Sequence, residues 1–181
     1  MDQSGQTRRQ VLSGVVAGTM LALAGCSGDG GDGGDGGDGG DGGGSPSGDD
    51  YPVVDRWLTE SEIGGAADNY DRTVADQRDS GTVTIEVGAE GNGGAFAYEP
   101  AAVVVSAGTT IEWSWTGEGN PHNVEALPEE QLGESDYEFS SGEAEGGSGV
   151  KYTRTMDDPG IALYHCEPHF SLGMKGGIAV E

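Results

Sequence analysis

The chain has 181 residues, enough for one ordinary domain with attached segments, and a formal charge of −24 from 32 acidic and 8 basic side chains. Residues 51–181 carry 24 of the acids and 6 of the bases, so the charge is not confined to a tail. Nucleic-acid phosphates would repel so acidic a domain, which excludes nucleic-acid binding by charge neutralisation.

Two interpretations of this acidity remain. One is a docking surface for a basic partner. The other is adaptation to concentrated salt, where repulsion between surface carboxylates is screened within a few ångströms. The acids are spread along the whole chain, and the only lysines are Lys151 and Lys175. This distribution favours a halophilic protein.

The first residues have the features of an export signal. Arg8 and Arg9 precede an uncharged apolar stretch from Val11 to Gly25, which is shorter than the roughly 20 apolar residues that span a bilayer. A paired arginine before a short apolar region is typical of twin-arginine (Tat) export, the route for folded proteins. An amphipathic or buried helix is the alternative, but the polar face is missing. We therefore predict that residues 1–25 are a twin-arginine signal peptide.

The end of the apolar stretch, Leu23-Ala24-Gly25-Cys26, resembles the lipobox of prokaryotic lipoproteins. The resemblance implies cleavage before Cys26 and attachment of a diacylglycerol to its sulfur, which would anchor the chain stably to a membrane. Cleavage without lipidation is the alternative. A disulfide with the other cysteine, Cys166, is disfavoured because each cysteine belongs to its own motif. The expected location is the extracellular face of the cell membrane, with a lipid anchor.

Residues 26–50 are rich in glycine and aspartate, with a Gly-Gly-Asp repeat of period three from Ser27 to Gly44. The repeat lacks the proline of collagen. Because glycine maximises backbone freedom and the aspartates repel one another, we predict a disordered, extended linker. Residues 51–81 follow as an N-terminal extension packing on one edge or end of the domain. We expect a short helix near Val54–Ile63, with Trp57 as its packing anchor.

From Thr82 onward, apolar and polar residues alternate with a period of two, as in strands with one buried and one solvated face. Short runs of this kind, separated by Gly, Pro, Asn and Asp, are typical of a β-sandwich. We therefore predict an all-β fold, an antiparallel Greek-key β-sandwich, over residues 82–181. The runs lie at Thr82–Val87, Val103–Val105, Ile111–Thr116, Tyr137–Phe139, Val150–Thr155, Ile161–His165 and Gly177–Val180.

Four side chains form a candidate metal site. Cys166, His169 and Met174 have the spacing Cys-x2-His-x4-Met between the last two predicted strands, and His122 lies 44 residues before Cys166. A thiolate, two imidazoles and a thioether are the donor set of blue-copper electron-transfer sites. Zinc is the sharper alternative, although a methionine ligand would be unusual for zinc. The other alternative is that the four side chains are ordinary core and loop residues, but their occurrence together at these spacings would then be a coincidence.

The protein side chains fill all four positions of this site and leave none for a substrate. This favours electron transfer over catalysis, so we expect that the protein is not an enzyme. A copper-delivery lipoprotein is a second hypothesis, but the rigid placement of the ligands argues against it. A copper domain of an oxidase is a third, and it is disfavoured because the chain has no second metal motif.

Two motifs around these residues resemble the plastocyanin–amicyanin branch of the cupredoxins. The motifs are Pro121-His122-Asn123-Val124 and Cys166-x-Pro168-His169-x4-Met174-x-Gly176. The acidic composition, the lipobox and the Gly/Asp linker resemble most closely the halocyanins, the haloarchaeal members of that branch. The resemblance in fold covers residues 82–181.

The resemblance implies one type 1 copper ion, with His122, Cys166 and His169 in its plane and Met174 as the long axial ligand. It also implies that the backbone N–H of Asn123 donates a hydrogen bond to the thiolate, which holds the site and tunes its potential. The implied function is one-electron transfer between a donor and an acceptor, both membrane-associated redox proteins on the outer face of the membrane. We expect a monomer.

The remaining expectations concern the surroundings of the ligands. The ring edge of His169 is the expected point of electron exchange. An apolar contact patch is expected around it, from Pro168, Phe170, Leu172 and Gly173. His165 faces the opposite way from its neighbours Tyr164 and Cys166, and we expect a surface or packing role for it.

Overall fold

Two β-sheets packed face to face dominate the part of the chain that the computed structural model describes, residues 45–126 and 134–181. A helix, α1 (Pro52–Thr59), precedes them, and a 3₁₀ helix (Glu167–Leu172) lies in the last hairpin. The described strands are β1 (Ala75–Asp76), β2 (Thr82–Gly91), β3 (Gly94–Glu99), β4 (Ala102–Val105), β5 (Thr109–Thr116), β6 (Glu125–Ala126), β7 (Phe139–Ser140), β8 (Ser148–Met156), β9 (Gly160–His165) and β10 (Lys175–Val180).

The predicted signal peptide, Cys26 and most of the predicted linker lie outside the described residues. The last residues of the predicted linker are ordered, because Ser47 forms a β-bridge with Thr73 and the N–H of Gly48 donates to the carbonyl of Arg72 at 2.8 Å. The expectation of disorder is therefore wrong for this end of the segment. Neither helix within the described ranges is long and apolar enough to cross a membrane.

The predicted β-sandwich is confirmed, but its sheets are mixed rather than purely antiparallel. One sheet has the order β1-β4-β10-β9-β6-β7 and the other β3-β2-β5-β8. β4 pairs in parallel with β1 and with β10, and β2 pairs in parallel with β5. The expectation of antiparallel pairing is wrong for these pairs, because alternation predicts the face of a side chain and not the direction of its strand. Parallel neighbours arise where the chain visits the other sheet before it returns.

The main core lies between the sheets and contains the apolar residues that alternation assigns to the inner face. Val83, Ile85 and Val87 of β2 are buried there while the residues between them are exposed. Residues of both sheets and of the loop between β9 and β10 contribute to this cluster, among them Ile111, Trp113, Trp115, Val103, Tyr164, Cys166, Met174 and Ile178. Two predicted ligands, Cys166 and Met174, are therefore anchored in the core itself.

The outer face of the six-stranded sheet is covered by α1. Pro52 lies in the first turn of this helix, where its missing N–H has no cost, so the helix begins before the expected Val54 and ends at Thr59. Trp57 is fully buried, as expected of a packing anchor. It belongs to a second core cluster with sheet residues Ala102, Val104, Leu163 and Ala179.

The expectation that the N-terminal extension covers an edge or end of the domain holds for β1, which is the edge strand beside β4. It is wrong for α1, which packs on the face of the sheet. Because the sheet is covered on both faces, β10 is buried at every residue. A strand of this kind has no alternating pattern from which the covering helix could be predicted.

The β2–β3 hairpin brings a further aromatic side chain toward the metal motifs. β3 was not among the predicted strands, although the turn that precedes it contains a recognisable signal. Asn92 and Gly93 have positive φ angles of 56° and 82°, and an Asn-Gly pair is favoured in tight hairpin turns because both central residues need such angles. Reading this dipeptide as a turn predicts β3 and places Phe96 beside the site.

Candidate metal centre

Three of the predicted ligands, His122, Cys166 and His169, meet in the structure. The Cys166 Sγ atom lies 3.4 Å from His169 Nδ1 and 3.7 Å from His122 Nδ1, and the two nitrogens are 3.1 Å apart. The point equidistant from the three atoms lies about 2 Å from each, which is close to the length of imidazole–metal bonds, about 2.0–2.1 Å, and somewhat shorter than that of thiolate–metal bonds, about 2.3 Å. All three residues are buried. The arrangement fits one copper ion.

Contacts of both its backbone and its ring orient His122. Its backbone forms an isolated antiparallel bridge with Glu145, and Trp115 Nε1 donates a hydrogen bond to its carbonyl at 3.2 Å. The outer ring nitrogen, Nε2, lies 3.3 Å from the carbonyl oxygen of Glu118. A proton on Nε2 would be donated to that carbonyl, which leaves Nδ1 free to bind a metal.

The other predicted ligands lie on the loop that connects β9 to β10. The backbone N–H of Cys166 donates to the carbonyl of Met174 at 3.0 Å, and the N–H of Met174 donates to the carbonyl of His169 at 3.3 Å. Gly173 ends the 3₁₀ helix with a left-handed φ of 102°, a conformation that glycine adopts without strain. Met174 is fully buried in the same cluster as Cys166. Its role as the axial ligand stays a prediction.

The protonation of the site follows from its burial. Burial raises the pKa of the Cys166 thiol to about 11, although backbone N–H groups of Asn123 and His169 hydrogen-bond the sulfur and favour the thiolate. Burial also lowers the pKa of His122 and of His169, so both rings are neutral at pH 7 and able to bind a metal. A metal cation bound by the sulfur would displace the thiol proton.

A family comparison agrees with this geometry. Residues 84–181 match the family described as copper binding proteins of the plastocyanin/azurin family. The chain belongs to this family. It is 41% identical over 128 residues to halocyanin from Natronomonas pharaonis. This alignment covers 71% of each of the two chains. It is also 36% identical over 107 residues to plastocyanin from Scenedesmus fuscus, covering 55% of this chain and 99% of the relative.

Among solved structures, a copper-containing nitrite reductase from Thermus scotoductus SA-01 matches with a TM-score of 0.43 and 20% identity. The match covers 55% of this chain and only 22% of the reductase.

In this plastocyanin/azurin-family protein, the side chain of Asn123 joins the two halves of the site. Its Nδ2 donates to Glu167 Oε2 at 2.6 Å, and its Oδ1 accepts from the backbone N–H of Glu167 at 2.9 Å. The Tyr98 hydroxyl donates to the Asn123 carbonyl at 2.6 Å. Since Asn123 follows His122 and Glu167 follows Cys166, these bonds tie one predicted ligand to the loop that carries the other three. The sequence motif predicts only the backbone contact of Asn123.

We expect replacement of Asn123 with alanine to lower the free energy of unfolding by about 1–3 kcal/mol, because buried polar groups lose their partners. Copper affinity should fall by about tenfold, as is usual when groups that hold the ligands are removed. Urea unfolding and copper titration measure these effects. The exposed Asn120 in the same loop provides the control, and Asn120→Ala should change stability by no more than about 0.5 kcal/mol. Equal effects in the two variants would contradict the role of Asn123.

The surroundings of His169 match the expected apolar patch only in part. Pro168 and Leu172 are exposed, whereas Gly173 is buried. Phe170 turns inward and stacks on Trp57 at 5.8 Å between ring centroids. Phe96, which the sequence interpretation missed, packs on His169 at 4.6 Å.

His165 is a packing residue, and the surface alternative is wrong. Only 3% of the residue is exposed, and its ring packs against Phe170 at 4.5 Å and against Trp57 at 6.4 Å. Burial lowers its pKa to about 4, so the ring is neutral at pH 7. Alternation correctly turns His165 away from Cys166, but that outer face is covered by α1.

Proposed function

We propose that this protein is a one-electron carrier, not an enzyme, and that it holds one type 1 copper ion through His122, Cys166, His169 and Met174. The observation that carries the proposal is the burial of a mixed sulfur and nitrogen donor set. His122 is 1% exposed and Cys166 is not exposed at all, which leaves little room for a substrate to reach a bound metal. Bound copper supplies the Cu(I)/Cu(II) couple at this position. The copper-binding family and its relatives named halocyanin and plastocyanin support the same function.

Electrons exchange with partner proteins through His169. It is 6% exposed, the largest exposed fraction among the proposed ligands. Pro168 and Leu172 lie on the same loop and are exposed to solvent. A small, partly apolar contact of this kind suits weak encounters with rapid exchange of partners. The partners are a redox donor and a redox acceptor, and the carrier acts as a monomer.

The carrier works at the outer face of the cell membrane. The supporting features are the paired arginines, the lipobox that ends at Cys26, and the Gly/Asp linker. In this proposal, residues 1–25 are removed, Cys26 carries the lipid and residues 26–50 form the linker. Residues 51–81 and 82–181 then form the extension and the copper domain. A Gly-rich coil of about 20 residues, the part of the linker before Ser45, has an end-to-end distance of roughly 22–27 Å, which lets the copper domain meet membrane-bound partners.

The test is a visible absorption spectrum of the purified, oxidised, copper-loaded protein in concentrated salt. We expect an intense blue thiolate-to-copper band that disappears on addition of ascorbate and returns on reoxidation. A colourless or faintly coloured protein that still binds copper would instead support the copper-delivery hypothesis and contradict the joint assignment of Cys166 and Met174.

Replacement of Met174 with leucine should leave a blue protein with an altered reduction potential. A weakly bound Met174 thioether would tune the copper couple, whereas His122, Cys166 and His169 would hold the ion. Spectroelectrochemistry measures both properties. Met156→Leu is the matched control, because Met156 is equally buried but lies on β8 away from the ligand loop. Complete loss of copper from the Met174 variant would refute the axial assignment.

A further inference from the structure

The N-terminal extension touches the ligand loop directly, backbone against backbone. The N–H of Gly65 donates to the carbonyl of Phe170 at 2.9 Å. A methyl group added at Gly65 would lie 2.6 Å from the nitrogen of Gly173 and 2.7 Å from the carbonyl carbon of Leu172. These separations are shorter than side-chain carbons show in proteins, so only glycine allows the two segments to approach this closely.

On the loop side of this contact, Gly173 also has no room for a side chain. A methyl group at Gly173 would overlap the carbonyl oxygen of Ala66 and would lie 2.9 Å from Asn92 Oδ1. Asn92 is itself tied to the extension, because its Oδ1 accepts a hydrogen bond from the N–H of Asp68 at 3.0 Å. Residues 64–68 therefore fill the space between the β2–β3 hairpin and the part of the loop that leads into Met174.

The ligand loop is also supported from beneath by α1. The ring of Trp57 stacks on Phe170, and its Nε1 donates to the carbonyl of Gly176 at 3.1 Å. Lys175 Nζ donates to the carbonyls of Glu60 at 2.7 Å and Trp57 at 3.2 Å. It also lies 4.7 Å from the centre of the Trp57 ring. A cation that meets the last carbonyls of a helix is a favourable arrangement, and here it fixes the residue that follows Met174.

We propose that residues 57–68, which we call the loop support, position the copper-binding loop in its ligand geometry before the metal arrives. The inference rests on the proposed ligands Cys166, His169 and Met174. The loop is held at Phe170, at Leu172–Gly173 and at Lys175 by partners about 100 residues earlier in the chain. A preorganised ligand set binds its metal more tightly, because less conformational entropy is lost on binding.

The substitution Gly65→Ala tests the loop support without changing any proposed ligand. The added methyl group pushes on the backbone of Leu172 and Gly173, so we expect copper affinity to fall by about tenfold, together with a shift of the blue absorption band. Gly81→Ala is the matched control. Gly81 belongs to the same extension, but a methyl group there meets nothing within 4 Å. The control should keep the affinity and the spectrum of the unmodified protein.

Amide hydrogen exchange on the unmodified, copper-free protein provides a second test that needs no variant. We expect the N–H of Gly65 and those of the ligand loop to be protected and to open together, since they belong to one hydrogen-bonded unit. Fast exchange at Gly65 while the loop stays protected would overturn the inference. So would a Gly65→Ala protein that is folded and indistinguishable from the Gly81→Ala control. Failure of the unmodified protein to form a blue site is a different result, which would contradict the ligand assignment.

Discussion

Replacing Cys166 with serine will remove the blue absorption of the copper-loaded protein entirely. The intense band of a blue-copper site requires a thiolate bound to copper, and a serine hydroxyl cannot supply one. In the metal-free protein, burial already raises the pKa of the Cys166 thiol to about 11, and bound copper would displace the proton because it is a strong Lewis acid toward sulfur. A hydroxyl holds its proton far more tightly in the same buried place, so copper affinity should also fall by at least about tenfold.

The second cysteine provides a matched control for this experiment. Cys26→Ser makes the same chemical change in the predicted lipobox, and it should leave the blue band unchanged. The same variant should no longer sediment with membranes if Cys26 carries the lipid. Visible spectra and membrane fractionation of the two variants therefore separate the metal site from the anchor. A blue band that persisted in the Cys166→Ser protein would contradict the ligand assignment.

Replacing Trp57 with alanine is expected to lower the free energy of unfolding by about 3–5 kcal/mol, the usual cost of removing a fully buried aromatic side chain. Trp57 is fully buried, and it also supports Phe170 and the chain around Gly176 through the contacts described above. Urea unfolding of the copper-free protein in concentrated salt is the measurement, because bound copper would add its own stabilisation.

Val150 provides a control for the effect of shortening an apolar side chain. It is 50% exposed on β8, so Val150→Ala should cost no more than about 0.5 kcal/mol. The loss of unfolding free energy for Trp57→Phe should lie between those for Val150→Ala and Trp57→Ala, since phenylalanine keeps an aromatic ring against Phe170 but has no N–H donor. A loss below about 1 kcal/mol for Trp57→Ala would show that α1 adds little to the fold.

The parts of the fold that local patterns specify could be predicted from the sequence. Period-two alternation assigns Val83, Ile85 and Val87 to the core because one face of β2 is exposed to solvent. The same reasoning fails on β4, whose four residues are all buried. The second face of that strand packs into the cluster that contains α1. A continuous apolar run indicates that both faces are buried, but it does not say which element covers the second one.

The candidate site also has a part that the sequence predicts and a part that it does not. The spacing of Cys166 and His169 identifies donors on one loop, and the comparison with the plastocyanin/azurin family supports that interpretation. The contacts that hold these donors connect distant positions, such as Asn123 with Glu167 and Gly65 with Phe170. Glycine and asparagine occur in loops for many reasons, so their identity alone does not reveal such partners.

Lys175 is fully buried, which has a practical consequence for where this protein can be shortened. The family match begins at residue 84, which makes that position an obvious first residue for a recombinant fragment. Such a fragment would remove both carbonyls that accept hydrogen bonds from Lys175 Nζ and would uncover the apolar side chains of Val104, Leu163 and Ala179. Unsatisfied charge and exposed apolar surface both favour aggregation. A fragment that begins at Ser45 keeps these partners, so the region by which the family is recognised is shorter than the region needed for a soluble product.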